Sequence, residues 1–197
     1  MNTNFDYFTF SIFWGCEFVS FTNTVKDIRR TCVEEGKGRI LFDTVLDLKQ
    51  YENPDVGSHL EHFSWWQSKL YPNIVFLSSN QGDGLDVPCR LFQDKLKCIC
   101  MKICVSITNI YPKNSFWYID VNGKERIVMA LKEDKWTFFQ MGTPLPFEDV
   151  SLYEKKRIKD RINFDIIKQY LSKIGIDYDL MDSNVVHCAS FEKLKRG

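Results

Sequence analysis

The sequence predicts an α+β fold, one domain over residues 1–197 built from a mainly antiparallel or mixed sheet packed by helices. Three observations carry this. Apolar residues alternate with period two in several stretches that end in turn residues, and helical spacing beside capping residues marks others. The two kinds do not alternate as the sustained βαβ series that a doubly wound parallel sheet requires. No Pro/Ser-rich linker, block of like charge or internal repeat divides the chain. With 44% hydrophobic residues among 197, it holds enough for one substantial core.

Residues 5–14 alternate, with Phe8, Phe10, Ile12 and Trp14 on one face and Thr9 and Ser11 on the other, which predicts a strand. From Val25 the spacing becomes helical through Ile28, Cys32 and Val33, and Gly36 is placed to end that helix. Residues 39–50 fit neither pattern. Ser58 and Glu61 form a capping box ahead of Leu60, Phe63, Trp66 and Leu70, which predicts a helix over about 59–70. Ile74 to Ser79 reads as a short buried strand and SNQGDG as a turn. Asp86 then caps a helix that tolerates Pro88 in its first turn and carries Leu91, Phe92 and Leu96. Residues 98–108, CICMKICVSIT, predict a strand.

Asn122-Gly123 is the preferred two-residue turn of a hairpin, and KWTFFQM returns as a third strand. With Val121 opposite Lys124, Phe116, Tyr118, Ile127 and Met129 share one face, and Trp117, Ile119 and Val128 share the other. Both faces are apolar, so the meander is expected at the centre of the sheet, covered on both sides. Toward the C-terminus Ser151 and Glu154 predict a basic helix with Ile158 and Ile162. Asn163 caps a second helix through Ile166, Ile167, Tyr170, Leu171 and Ile174, closed by Gly175. These two form a predicted C-terminal helix pair. NVVHCASF reads as a last strand at an edge.

Charge narrows function. Lys plus Arg equals Asp plus Glu at 26 each, so no global field draws the chain to a polyanion or an acidic membrane. The apolar N-terminus lacks a basic leader and a small-residue cleavage site, and no apolar run approaches the ~20 residues that cross a bilayer. Seven cysteines, an odd number at irregular spacing, suit reduced thiols. A cytoplasmic protein without a membrane partner is expected.

Each chemical constellation has a structural explanation beside it. Cys98, Cys100 and Cys104 share a strand face, but C-x-C on a regular strand wraps a metal poorly, and neither His187 nor Cys188 is brought near by spacing. His59 and His62 have possible metal-ligand spacing, with Asp55 or Glu61 to complete a site, yet Glu61 has a capping task and HExxH is absent. Cys89, in the first turn of a predicted helix, is the best candidate for a reactive thiol. A hydrolase would pair it with His59 or His62, or use a His-carboxylate pair. SNQGDGLD sits where a phosphate cradle would, but Asp83 and Asp86 repel phosphate and no GxxxxGK[ST] is present. The basic stretch 155–161 offers cations for nucleic acid, diluted by Glu148, Asp149, Glu154 and Asp160. No catalytic, cofactor or metal residue is assigned, and no cofactor is implied.

SSNQGDG, together with W-x-F-F-x-x-G-x-P-L-P-F-E-D from Trp136 to Asp149, Tyr153, Arg157, Arg161 and the helix ending at Gly175, resembles small bacterial proteins. These belong to interbacterial polymorphic-toxin and type VI secretion cassettes and are taken to be immunity proteins. The resemblance covers the C-terminal third and one turn. It implies a cytoplasmic binder that occludes a toxin, with a protein partner encoded nearby and no reaction of its own. Trp65, Trp66, Asp83, Asp86, Glu148 and Asp149 are the candidate partner-binding residues, aromatic anchors beside acidic groups. A small thiol or His/carboxylate hydrolase is the alternative, and nucleic-acid binding through 155–161 the second.

Overall fold

Strand pairing runs unbroken across the molecule in a computed structural model that describes residues 6–53, 60–107 and 111–195. The strands are β1 (Tyr7–Trp14), β2 (Gly38–Phe42), β3 (His62–Ser68), β4 (Ile74–Ser79), β5 (Ile99–Ser106), β6 (Lys113–Ile119), β7 (Glu125–Lys132), β8 (Trp136–Met141) and β9 (Val185–Lys193). They form one sheet in the order β2-β9-β3-β4-β1-β5-β6-β7-β8, antiparallel at every pairing. Among the described residues three α-helices, α1 (Phe18–Glu34), α2 (Asp86–Leu96) and α3 (Phe164–Lys173), complete the α+β fold.

The sheet has a core on each face. On one, α1 and α2 bury Phe13, Phe63, Trp65, Val75 and Leu77 under Phe21, Val25 and Phe92. On the other, α3 and the turns around it bury Phe8, Phe10, Trp66, Phe76 and Phe116 under Tyr153, Tyr170 and Tyr178. α1 packs mainly on β2, β4 and β9 and α2 on β5, and α2 reaches β7 through Arg90, which pairs with Glu125 at the start of that strand. Beyond Glu125, neither helix packs closely on β7 or β8 among the described residues.

Local signals hold where tertiary pairing does not contest them. The Asn163 side chain accepts from the Ile166 N–H at 3.0 Å, and the chain leaves α3 through Gly175 at φ 81°. Gly36, at φ 66°, ends α1 in the same way. The segment expected as a helix over 59–70 is instead β3. HFSWW satisfies either period, and pairing with β4 on one side and β9 on the other decides for the strand. Glu61 then pairs with Arg29 of α1 at 2.6 Å rather than capping a helix. Ser58 and His59 lie outside the described residues. β2 and a 3₁₀ turn at Leu48–Tyr51 occupy the ambiguous 39–50 stretch, and β9 is an interior strand, not an edge.

The C-terminal helix pair is a single helix. Where the first was expected there are two short 3₁₀ segments, Val150–Glu154 and Ile158–Asp160. Asp149 takes the cap, accepting from the Ser151 N–H at 3.1 Å and its hydroxyl at 2.6 Å. Between buried Tyr153 and buried Ile162 the chain is polar and basic except for half-buried Ile158, too little apolar surface to hold a full helix on the sheet.

The meander β6-β7-β8 lies at one end of the sheet, not its centre. Its register also differs by one residue from the expected one, pairing Phe116 with Val128 and Trp117 with Ile127. The Asp120 carboxylate causes this. It accepts the N–H groups of Asn122 at 2.8 Å and Lys124 at 2.9 Å, so that Asp120 pairs with Lys124 and the loop holds three residues. Gly123 supplies the left-handed position at φ 80° that such a loop needs. A slip of one residue exchanges the faces of a strand. Arg126, Val128 and Ala130 are therefore buried, while Ile127, Met129 and Leu131 face the uncovered side half-exposed.

Candidate functional site

Side chains on the uncovered half-face come from alternate positions of three strands: Trp117 of β6, Ile127, Met129 and Leu131 of β7, and Phe139 and Met141 of β8. Phe139 is 43% exposed and Met141 44%. Scattered apolar residues on a surface are ordinary, whereas these are neighbours across the β6–β7 and β7–β8 pairings. β8 is also hydrogen-bonded on one side only. Because Asp120 N–H bonds the Lys124 carbonyl, and Lys132 N–H the Pro112 carbonyl, the even residues of β7 bond toward β6 and the odd ones toward β8. In β8 the backbone groups of Trp136, Phe138 and Gln140 consequently face outward. WTFFQM contains no charge and no proline, the two usual devices that guard an edge.

Toward the middle of the sheet the strip ends in a pocket of about 260 Å³ with both polar and apolar lining. Its floor is Thr9, Lys102, Cys104 and Ser115, its rim the turn before α2, and its far wall Trp117, Ile127, Met129 and Phe139. Arg90 of α2 stacks on the Trp117 ring at 4.3 Å and makes a two-pronged ion pair with Glu125 at 2.6 and 3.2 Å. Glu125 in turn accepts from the Trp117 indole N–H at 2.9 Å. Lys102 donates to the Asp83 carbonyl at 2.6 Å and pairs with Asp86, holding the turn to β5. Burial, reinforced by the nearby Lys113 ammonium, brings the Lys102 pKa down to about 8. Tyr7 donates to the Gly82 carbonyl at 2.8 Å, and burial pushes its phenol pKa up.

The sequence-derived candidates fall in different places. Asp83 and Asp86 join this pocket: Asp83 is exposed with its carboxylate accepting the Leu85 N–H at 3.0 Å, and Asp86 opens α2. The cap of α2 is Leu85, in a left-handed conformation, rather than Asp86. Trp65 and Trp66 are both 0% exposed, one in each core, with indole N–H groups bonded to Thr22 Oγ1 and the Met181 carbonyl. They are core residues and present nothing to a partner. The Glu148 side chain is enclosed too, its carboxylate bonded to Arg126, Tyr153 and the Leu145 N–H, while Asp149 is exposed but spent on its cap.

Cys89 is buried under α2, with its sulfur against Ser11 Oγ at 3.3 Å and the Gly84 carbonyl at 3.6 Å. His62 lies on the opposite face of the sheet beside Tyr51, so the two do not form a dyad. Cys98, Cys100 and Cys104 do share a face, yet each meets a different neighbour: Cys16, Cys89 and Tyr7. Among the described residues no three His, Cys, Asp or Glu converge as metal ligands. The cations of 155–161 are dispersed, with Arg157 on Asp160 at 2.6 Å and Arg161 on the Lys155 carbonyl and the Phe138 ring.

No protein family, no characterised protein and no solved structure matches the chain.

A second concavity of about 560 Å³ lies on the other face, between Trp14, Met101 and Tyr118 of the sheet and the 145–147 turn. Its one cation, Lys173, already donates to the Phe147 carbonyl at 3.0 Å. No helix of the described residues is long and apolar enough to cross a membrane.

Proposed function

We propose that this protein is a binding module that captures an extended segment of a protein partner by strand addition to β8, with the partner's side chains packing on Ile127, Met129, Phe139 and Met141. One observation carries the reading: an apolar sheet face beyond the reach of the α1 and α2 cores, continuous with an edge strand that holds no charge and no proline. Strand addition takes affinity from the main chain and specificity from alternate side-chain contacts, and this surface offers both. The immunity-type resemblance supplies the partner, a toxin encoded beside this gene.

The test is co-expression with the product of the neighbouring gene, followed by co-purification and growth rescue. Wild type is expected to bind and protect, and Phe139→Asp to do neither while retaining its melting temperature, since Phe139 is half out of the core. A wild type that does not bind that product, or a Phe139→Asp variant that binds it as tightly, overturns the reading. So does a wild type that pairs with itself through β8, because the occupant is then a second copy.

A further inference from the structure

We infer that the pocket beside Lys102 is a binding site for a small free carboxylic acid with an apolar body, held by Lys102, Lys113 and Thr9. Thr9 supplies the first observation. It is 1% exposed, its hydroxyl finds no hydrogen-bond partner among the described residues, and it lines the pocket. An unpaired buried hydroxyl is a standing cost that a ligand acceptor removes.

The second observation is the cation pair. Lys102 and Lys113 both line the pocket, close enough that the Lys113 ammonium disfavours the charge on Lys102. Lys102 spends two of its three N–H donors, on the Asp83 carbonyl and Asp86. Lys113 Nζ makes no ion pair or hydrogen bond among the described residues. The spare capacity of the floor is thus donors, from two ammonium groups and one hydroxyl, which a carboxylate accepts with two oxygens. Asp86 already holds Lys102, and Asp83 stands at the rim with its carboxylate on the Leu85 N–H, which keeps the anion toward Thr9 and Lys113.

Beside the donors, toward the β8 edge of the sheet, the lining is Trp117, Ile127, Met129 and Phe139, so the body of the acid is apolar. A volume of about 260 Å³ limits it to roughly the size of an aromatic acid with one ring, below the usual range for larger ligands. This inference deepens the same surface as the docking reading but does not need a partner, because the pocket exists in the isolated chain.

Benzoate is the probe, titrated into the full-length protein and followed by Trp fluorescence and by ¹⁵N amide shifts. Saturable binding at one site in the millimolar range is expected, with shifts centred on Thr9 and Lys102 and unaffected in kind by the absence of any partner. Thr9→Val and Lys113→Met are each expected to weaken it about tenfold. Benzamide, which has the same body without the charge, is expected to bind at least tenfold more weakly.

Absence of saturable binding, equal binding of benzamide, or binding indifferent to both substitutions overturns the inference. Thr9→Val is nearly isosteric and Lys113 is part-exposed, so both variants keep the fold, which the melting curve verifies. An acidic side chain presented by a partner carries the same group. If benzoate binds neither the free protein nor any variant, yet Phe139→Asp still abolishes capture of the partner, the small-acid inference fails and the docking reading stands.

Discussion

Replacing Glu148 by Gln tests how the C-terminal third is held to the sheet. The Glu148 side chain is 0% exposed and that of Arg126 2%, and three of the guanidinium's hydrogen bonds, at 2.6, 2.9 and 3.2 Å, reach that carboxylate. The same guanidinium also bonds the Met141 and Gly142 carbonyls and Gln140, while Glu148 accepts the Leu145 N–H and the Tyr153 hydroxyl, each at 2.7 Å. Gln keeps the shape but removes the charge that compensates Arg126. Breaking a buried pair from one side costs about 3–5 kcal/mol, because the remaining ion stays desolvated. For a chain of this size that lowers the melting temperature by roughly 6–20 °C. Urea denaturation gives the free energy, and hydrogen exchange at the Leu145 amide reports whether the 142–154 segment loosens first. The double variant with Arg126→Met should cost less than the sum of the single ones, with a coupling of about 2 kcal/mol or more. A loss below about 1 kcal/mol, the figure for an exposed pair, would refute the assignment of Glu148 to the interior.

Gly142→Ala is expected to cost about 3–4 kcal/mol, since its φ is 86° and a Cβ would lie 2.2 Å from the Glu125 carbonyl oxygen; Gly123→Ala, at φ 80° but facing open space, should cost about 1–2 kcal/mol. Comparing the two by urea denaturation separates the clash from the dihedral strain. A thiol reagent applied to the native protein should modify Cys32 alone, because the other six cysteines are buried, and all seven should react after unfolding; fast native labelling of Cys89 would revive a thiol chemistry. The folded pKa of Lys102 is about 8 against an ordinary 10.5, so between those values the unfolded chain binds the extra proton and this group adds stability as pH rises, up to about 3 kcal/mol. Buried cysteines and tyrosines whose pKa values are raised, Cys104 and Tyr178 among them, act in the opposite sense above pH 9–10. The measurable quantity is therefore the stability of wild type minus that of Lys102→Met, which should increase from pH 8 to 10; a flat difference would contradict the burial of that amine.

α3 was legible because its signals are local: Asn163 at the start, core spacing through Leu171, and Gly175 at the end do not depend on distant residues. β3 was not, since Phe63, Trp65 and Trp66 fit either period and only partners far along the chain choose between them. Lys102 left a signal that could have been used, as the single charge in the otherwise apolar run 98–108. The hairpin is the case that bears on function. Asn-Gly serves a two-residue turn and also ends a three-residue loop, and the Asp120 side chain selects the second, which moves Ile127 and Met129 from the side of Phe116 to that of Trp117. Even a correct register would have left the open face unseen, because a strand apolar on both sides reads the same whether a helix or a partner covers it. What decides is width. Nine strands at about 4.8 Å spacing span roughly 38 Å, while two helices side by side cover about 20 Å. α1 and α2 are the two helices on that face among the described residues; their bodies cover it from β2 to β5, and Arg90 extends the cover to Trp117 of β6 and Glu125 at the start of β7. The apolar side chains of β7 and β8 beyond them, Phe139 and Met141 foremost, therefore stay exposed.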